Sequence, residues 1–187
     1  RNIIGGYGAE TARLFMMSDS PPDRGLEWTD AGIDGAWRYV QRVYRLTLEV
    51  ASGQWSVASE TEALELQKLT HKTIDAVTRD IENFHFNKAV ARIRELTNAI
   101  EKTLATGHRP PATSIEATLH LLAPFMPHLA EECWAMLGHS DLIASRPWPK
   151  ADAALLEDET VTVAVQVNGK LRATLTLAKN LPEDEAR

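Results

Sequence analysis

The chain has 187 residues, 44% hydrophobic and 25% charged, the proportions of a globular protein with room for one domain and part of a second. Its formal net charge of −6 argues against a dedicated nucleic-acid binder, which carries a basic excess. No run of about 18 apolar residues is present to span a membrane, and no secretory signal pattern precedes the first element. The single cysteine, Cys133, excludes an internal disulfide and fits a reducing cytosol. Residues 1–50 hold six Lys/Arg against seven Asp/Glu, so any basic surface must come from arrangement rather than totals.

In chain order, residues 7–17 read as a short helix that ends at Asp19-Ser20-Pro21-Pro22, because two prolines cannot continue it. Thr29 is a predicted N-cap with Asp30 in the first turn. It opens a helix over about 30–50 whose apolar face is expected to be Ile33, Trp37, Val40, Tyr44 and Leu48. SGQWSVA is a predicted loop. Ser59 and Glu62 have capping-box spacing and start a helix carrying Leu66, Leu69, Thr73, Val77 and Ile81 inward. Phe84-His85-Phe86-Asn87 is the predicted turn, with Asn87 as the next cap. The following helix turns Ala89, Val90, Ile93, Leu96, Thr97, Ile100 and Leu104 inward, and Gly107 stops it. Pro110-Pro111 sets up a helix over 112–123. Pro124 and Pro127 bracket a break, and a last short helix closes at Gly138.

After SDLIASRPWPKAD the period changes to two. Val161, Val163, Val165 and Val167 alternate with small and polar residues, Asn168-Gly169 has the chemistry of a tight hairpin turn, and Leu171, Ala173, Leu175 and Leu177 alternate on the way back. A lone hairpin is marginal in water, so the chain is expected to stop inside a second small domain, as it is expected to start inside a first. The fold class expected is mainly α: an antiparallel helical bundle followed by a β-hairpin.

Several stretches are candidates for chemistry. GGYG at 5–8 lacks the Lys-Ser/Thr of a phosphate loop and follows no strand, so it reads as a connector. His128, Glu131, Glu132 and Cys133 lie within two helical turns, but their ordinary reading is a charged face with a buried cysteine rather than a metal site. Glu131 and Glu132 point to different sides of a helix and make a poor acid/base pair. Trp55 and Trp148, in predicted loops, are candidates to close over the bundle ends. Arg38, Arg42 and Arg45 share one helix face at spacings of four and three, which suits phosphate contacts. The competing reading is a solvated face with local pairs such as Arg45 with Glu49. Lys68 and Lys72 repeat the signal more weakly, and Lys170 and Arg172 flank the hairpin turn.

The order YGAETARLFMMSDSPP, LEWTDAGIDGAWRYVQRVYRL, LLAPFMPHLAEECW, RPWP and VQVNGKLRATL resembles the C-terminal part of the leucyl-tRNA synthetases, class I aminoacyl-tRNA synthetases, over nearly the whole chain. The helices and hairpin are also similar to those of the valyl and isoleucyl enzymes; the YGAETARLF opening, SPP, LEW and RPWP favour leucine. The resemblance implies a connector after the catalytic core at 1–28, an anticodon-binding-type bundle at 29–150 and the start of a C-terminal domain at 151–187. RNIIGG is shorter than the family's spacing before the YGA helix. The lysine-containing signature loop, the other ATP-site signature and the editing domain have no counterpart here. The parent implied is a cytoplasmic, monomeric leucine–tRNA ligase using ATP with Mg, of which this piece would bind tRNA(Leu) and pack on the catalytic core while holding no cofactor or catalytic residue itself. Arg38, Arg42, Arg45, Lys68, Lys72, Lys170 and Arg172 are then the candidate tRNA contacts. The alternative is an interdomain scaffold that touches RNA little.

Overall fold

The computed structural model describes residues 3–157, 160–167 and 170–178. It divides into two compact units, Arg1–Ala151 and Asp152–Arg187. The first holds six helices: α1 (Ile3–Asp19), α2 (Asp30–Ser52), α3 (Glu60–Glu82), α4 (Phe86–Ala105), α5 (Ala112–Leu122) and α6 (Pro127–Met136). α1 is interrupted at Gly8, whose φ of 82° and ψ of 160° lie where only glycine is comfortable. Thr29 caps α2 by accepting the Gly32 N–H at 3.1 Å, and Ser59 with Glu62 forms the reciprocal capping box of α3.

α4 buries the seven residues expected of it, but its cap differs. The helix begins at Phe86 after His85, so Asn87 lies inside the first turn and caps nothing. The reason is the way α3 ends. The His85 N–H reaches back to the Asp80 carbonyl at 2.7 Å and the Phe84 N–H to that of Ile81 at 3.0 Å, the two bonds of a Schellman closure. Phe84 therefore occupies the left-handed position, φ 58°, that glycine normally fills. It is 65% exposed and touches Phe86 edge-on at 5.8 Å. Replacing Phe84 with Gly should stabilise the bundle by about 1 kcal/mol, because the left-handed strain outweighs the loss of one exposed ring contact. A rise of about 3 °C in the thermal midpoint is expected; a fall would mean the ring contact dominates.

α3 and α4 form an antiparallel pair, α4 also packs on α1 and α5, and α2 packs on α1 and α6. The core has two parts. The larger gathers Leu14, Phe15, Ile33, Ile93, Phe125 and Trp134 with their neighbours; the smaller joins Leu46, Val50, Leu66, Leu96, Ile100, Leu104 and Ile115. At the break between α5 and α6, Arg13 of α1 donates to the carbonyls of Pro124 at 2.9 Å and Phe125 at 3.3 Å. These carbonyls have no helical partner and need an outside donor. Glu131 accepts the N–H groups of Ile143 and Ala144 at 2.9 and 3.0 Å, fixing a 3-10 turn at Ile143–Ser145.

Two short strands were not expected from the sequence. β1 (Ser56–Val57) pairs in parallel with β2 (His108–Arg109), and the Ser56 N–H and hydroxyl both donate to the Gly107 carbonyl. Trp55 packs against the smaller core cluster. Trp148 instead donates its indole N–H to Thr78 on α3 at 2.8 Å. In the second unit, a 3-10 turn at Ala153–Leu155 precedes β3 (Thr160–Val167) and β4 (Lys170–Ala178). These strands pair antiparallel, with Val163 opposite Leu175 and an irregularity between Val165 and Gln166. The Asn168-Gly169 turn lies outside the described residues.

Candidate nucleic-acid interface

α2 carries three of the seven candidate residues, and its orientation decides what they can reach. The helix buries Ile33, Ala36, Tyr39, Val40, Val43, Leu46, Thr47 and Val50. The expected face was therefore only half right: Trp37, Tyr44 and Leu48 are 38%, 39% and 48% exposed. At about 100° per residue, the five-residue stripe read from the sequence straddles the edge of the true buried arc. The buried side is a wider band centred nearer Ala36 and Val43, and it includes a tyrosine and a threonine that a hydrophobic pattern does not select.

Two polar contacts set this rotation. The Tyr39 hydroxyl is 2.9 Å from the Thr97 hydroxyl, deep in the bundle. Thr97 donates to the Ile93 carbonyl, so Tyr39 is the donor. Burial pushes the Tyr39 phenol up to about 12, which keeps it a neutral donor. One turn on, Arg42 donates through Nε to Glu101 at 2.6 Å and through Nη2 to Asn98 at 2.6 Å, and the Glu101 hydrogen bond raises the guanidinium pKa further. The contacts advance in the same direction on both helices, so α2 and α4 run parallel here.

Arg38 and Arg45, by contrast, are exposed, and among the described residues neither has a hydrogen bond or an ion pair. The Arg45–Glu49 pair considered from the sequence is not formed. Arg42 and Arg45 line a groove of about 310 Å³ with Glu49, Glu101 and Leu104. Arg94 of α4 was missed by sequence reading. Its guanidinium lies 4.6 Å from the centre of the Tyr39 ring, its buried Nε has no hydrogen-bond partner among the described residues, and burial lowers its pKa. It adds a fourth cation beside the α2 arginines. Only the parallel pairing of α2 with α4 reveals this, and no local pattern encodes that pairing.

The remaining candidates lie elsewhere. Lys68 and Lys72 are half-buried on α3, which packs chiefly on α4 and α5, so they do not join the α2 face. Lys170 opens β4 and Arg172 is exposed on it, both in the second unit. The His128 cluster disperses: His128 pairs with Glu10 at 2.7 Å, Glu131 caps the 3-10 turn, and Cys133 is fully buried with its thiol pKa raised by burial. Among the described residues no group of three or more His, Cys, Asp or Glu could hold a metal ion. No described helix is long and apolar enough to cross a membrane.

The described residues thus form a helical bundle with exposed arginines on α2, followed in the chain by a hairpin unit. Residues 64–187 match the family described as the anticodon-binding domain of tRNA ligase, and the chain belongs to that family. Over nearly all of its length it is similar to leucine–tRNA ligases. It is 56% identical to that of Paramagnetospirillum magneticum over 96% of this chain and 22% of the relative. It is 50% identical to that of Rhizorhabdus wittichii over 97% of this chain and 21% of the relative. The chain thus spans about a fifth of the length of these relatives. Among solved structures, the LeuRS of a ternary LeuRS–tRNA–LeuAMS complex from Agrobacterium radiobacter K84 matches it with a TM-score of 0.82 at 31% identity, covering 98% of this chain and 25% of that one.

Proposed function

We propose that the chain is the tRNA-docking part of a leucyl-tRNA synthetase. The parent enzyme joins leucine to tRNA(Leu) with ATP and Mg at a site carried by other segments, and this piece by itself is inactive. Its task is to hold the folded tRNA so that the acceptor end reaches that site, a use of remote binding energy to position reactants. The observation that carries the reading is the pair of exposed arginines, Arg38 and Arg45, without acidic partners among the described residues, on a helix whose rotation is fixed by Tyr39 and Arg42. Fixed cations aimed at solvent suit phosphates, and folded RNA is recognised largely through shape and backbone. Arg42 already has Glu101 and Asn98, so a phosphate would compete with them for it.

The test is a titration of the 187-residue chain with leucine tRNA and with a short-variable-arm tRNA at two salt concentrations. Binding that prefers leucine tRNA and weakens steeply with salt is expected. No binding to either would favour the scaffold reading, in which the bundle serves to hold other domains of the enzyme.

A further inference from the structure

Phe84 stands where a glycine would be comfortable. Its φ of 58° and its 65% exposure put a large apolar side chain in solvent on a strained backbone. Strain at an exposed position points to a use other than stability. The ring is also held in place. It meets Phe86 edge-on, and Phe86 is tied to the core through Phe125. Two adjoining grooves share Pro21, Pro22 and Arg24 as lining. The larger, about 430 Å³, is walled by Phe84, His85 and Lys88. The smaller, about 280 Å³, has Met16, Met17, Leu26 and Phe86, and Met16 is 54% exposed. The shared loop is stiff, because its two prolines are followed by a turn in which the Arg24 N–H donates to the Pro21 carbonyl at 3.0 Å. An exposed apolar surface on a rigid frame is the kind that binds a partner with little loss of freedom.

We propose that Phe84 and these grooves dock an acidic peptide segment of a partner protein, with an apolar side chain seated against Phe84 and Met16 and flanking carboxylates meeting Arg24 and Lys88. Charge selects the partner. In a chain of net charge −6, the larger groove has Arg24, Lys88 and His85 against a single acid, Asp23. None of the three basic side chains has a hydrogen bond or ion pair among the described residues, so they are available to carboxylates. The apolar lining selects a peptide over RNA. Thioether and aliphatic side chains adapt to a branched or aromatic side chain. A run of bases wants successive exposed rings, and Phe84 is the one exposed ring on the two grooves, Phe86 being partly buried. The proposal is independent of the tRNA-docking reading, which rests on α2.

The experiment titrates the 187-residue chain with three short labelled peptides. The first has a central Leu-Phe pair flanked by Asp and Glu, the second the same pair flanked by Lys, and the third the acidic flanks around Ser-Ser. The acidic apolar peptide should bind about tenfold more tightly than either control, with amide NMR shifts centred on residues 16–26 and 83–88. Phe84→Gly should weaken it about tenfold while melting no lower than the unsubstituted chain, which separates docking from folding. Arg24→Glu with Lys88→Glu should transfer the preference to the basic peptide. No binding, equal binding of the acidic and basic peptides, or unaltered affinity in Phe84→Gly would overturn the proposal. Displacement of the peptide by a short oligouridylate would do the same in favour of RNA, and shifts at these residues that grow with protein concentration alone would do so in favour of a second copy.

Discussion

Changing Arg38 and Arg45 together to Ala is expected to weaken tRNA binding on the order of a hundredfold near physiological salt. Two charge-assisted contacts, each worth about 1.5 kcal/mol at the low end, account for that factor. The slope of log affinity against log salt should fall by about 1.5, because two fewer phosphates are neutralised. Helix content should not change, since neither side chain is bonded to the bundle among the described residues. Arg42→Ala should behave differently. It removes the link from α2 to Glu101 and Asn98 and costs about 0.5–1 kcal/mol of stability, the modest worth of a pair about a third exposed. Affinity measured at four salt concentrations, beside circular dichroism, separates the two effects. An unaltered slope in the double variant would remove Arg38 and Arg45 from the interface.

The largest loss of stability is expected at the break between α5 and α6. Phe125 is almost completely buried, meets Phe86 edge-on at 6.4 Å, and offers its carbonyl to Arg13. Phe125→Ala deletes a ring where Pro127 and the Arg13 bonds limit how far the backbone can collapse. A cost of about 3–5 kcal/mol follows, lowering the thermal midpoint by about 10 °C. A loss below about 1 kcal/mol would show that the break relaxes around the missing ring.

Most of the helical architecture is legible in the sequence because its punctuation is local. Thr29, Ser59 with Glu62, Gly107 and Pro127 mark boundaries through their own backbone chemistry, and the structure places them there. The α4 stripe is equally legible, because α4 is packed by α1, α3 and α5 and its buried residues are almost all aliphatic. The face of α2 is not. Tyr39 and Thr47 are buried and Trp37, Tyr44 and Leu48 exposed, the reverse of what polarity suggests, and the hydrogen bond that satisfies Tyr39 comes from a residue 58 positions away. The cap of α4 fails for a related reason. Asn87 is the better capping residue by chemistry, but the Schellman closure of α3 at Phe84 and His85 starts the next helix two residues early. For the candidate site, the arginine spacing is visible in the sequence. That Arg42 is engaged, Arg45 is not, and Arg94 lies alongside becomes visible only once α2 and α4 are paired.

The fixing of α2 by Tyr39 and Arg42 also bears on which changes in chain length the protein can absorb. A residue inserted between Gly53 and Ser59 disturbs at most Trp55 and the short β1–β2 pair, a local change of the kind surface loops tolerate. A residue removed between Asp30 and Tyr39 cannot be absorbed in this way. With Tyr39 and Arg42 tied to α4, it would swing Ile33 and the start of the helix by about 100° out of register with α1. Were α1 to hold its grip instead, everything after the deletion would turn, carrying Arg38 and Arg45 away from their present side. Substitution within this helix adjusts the surface one residue at a time, whereas a single deletion would re-aim all of it at once.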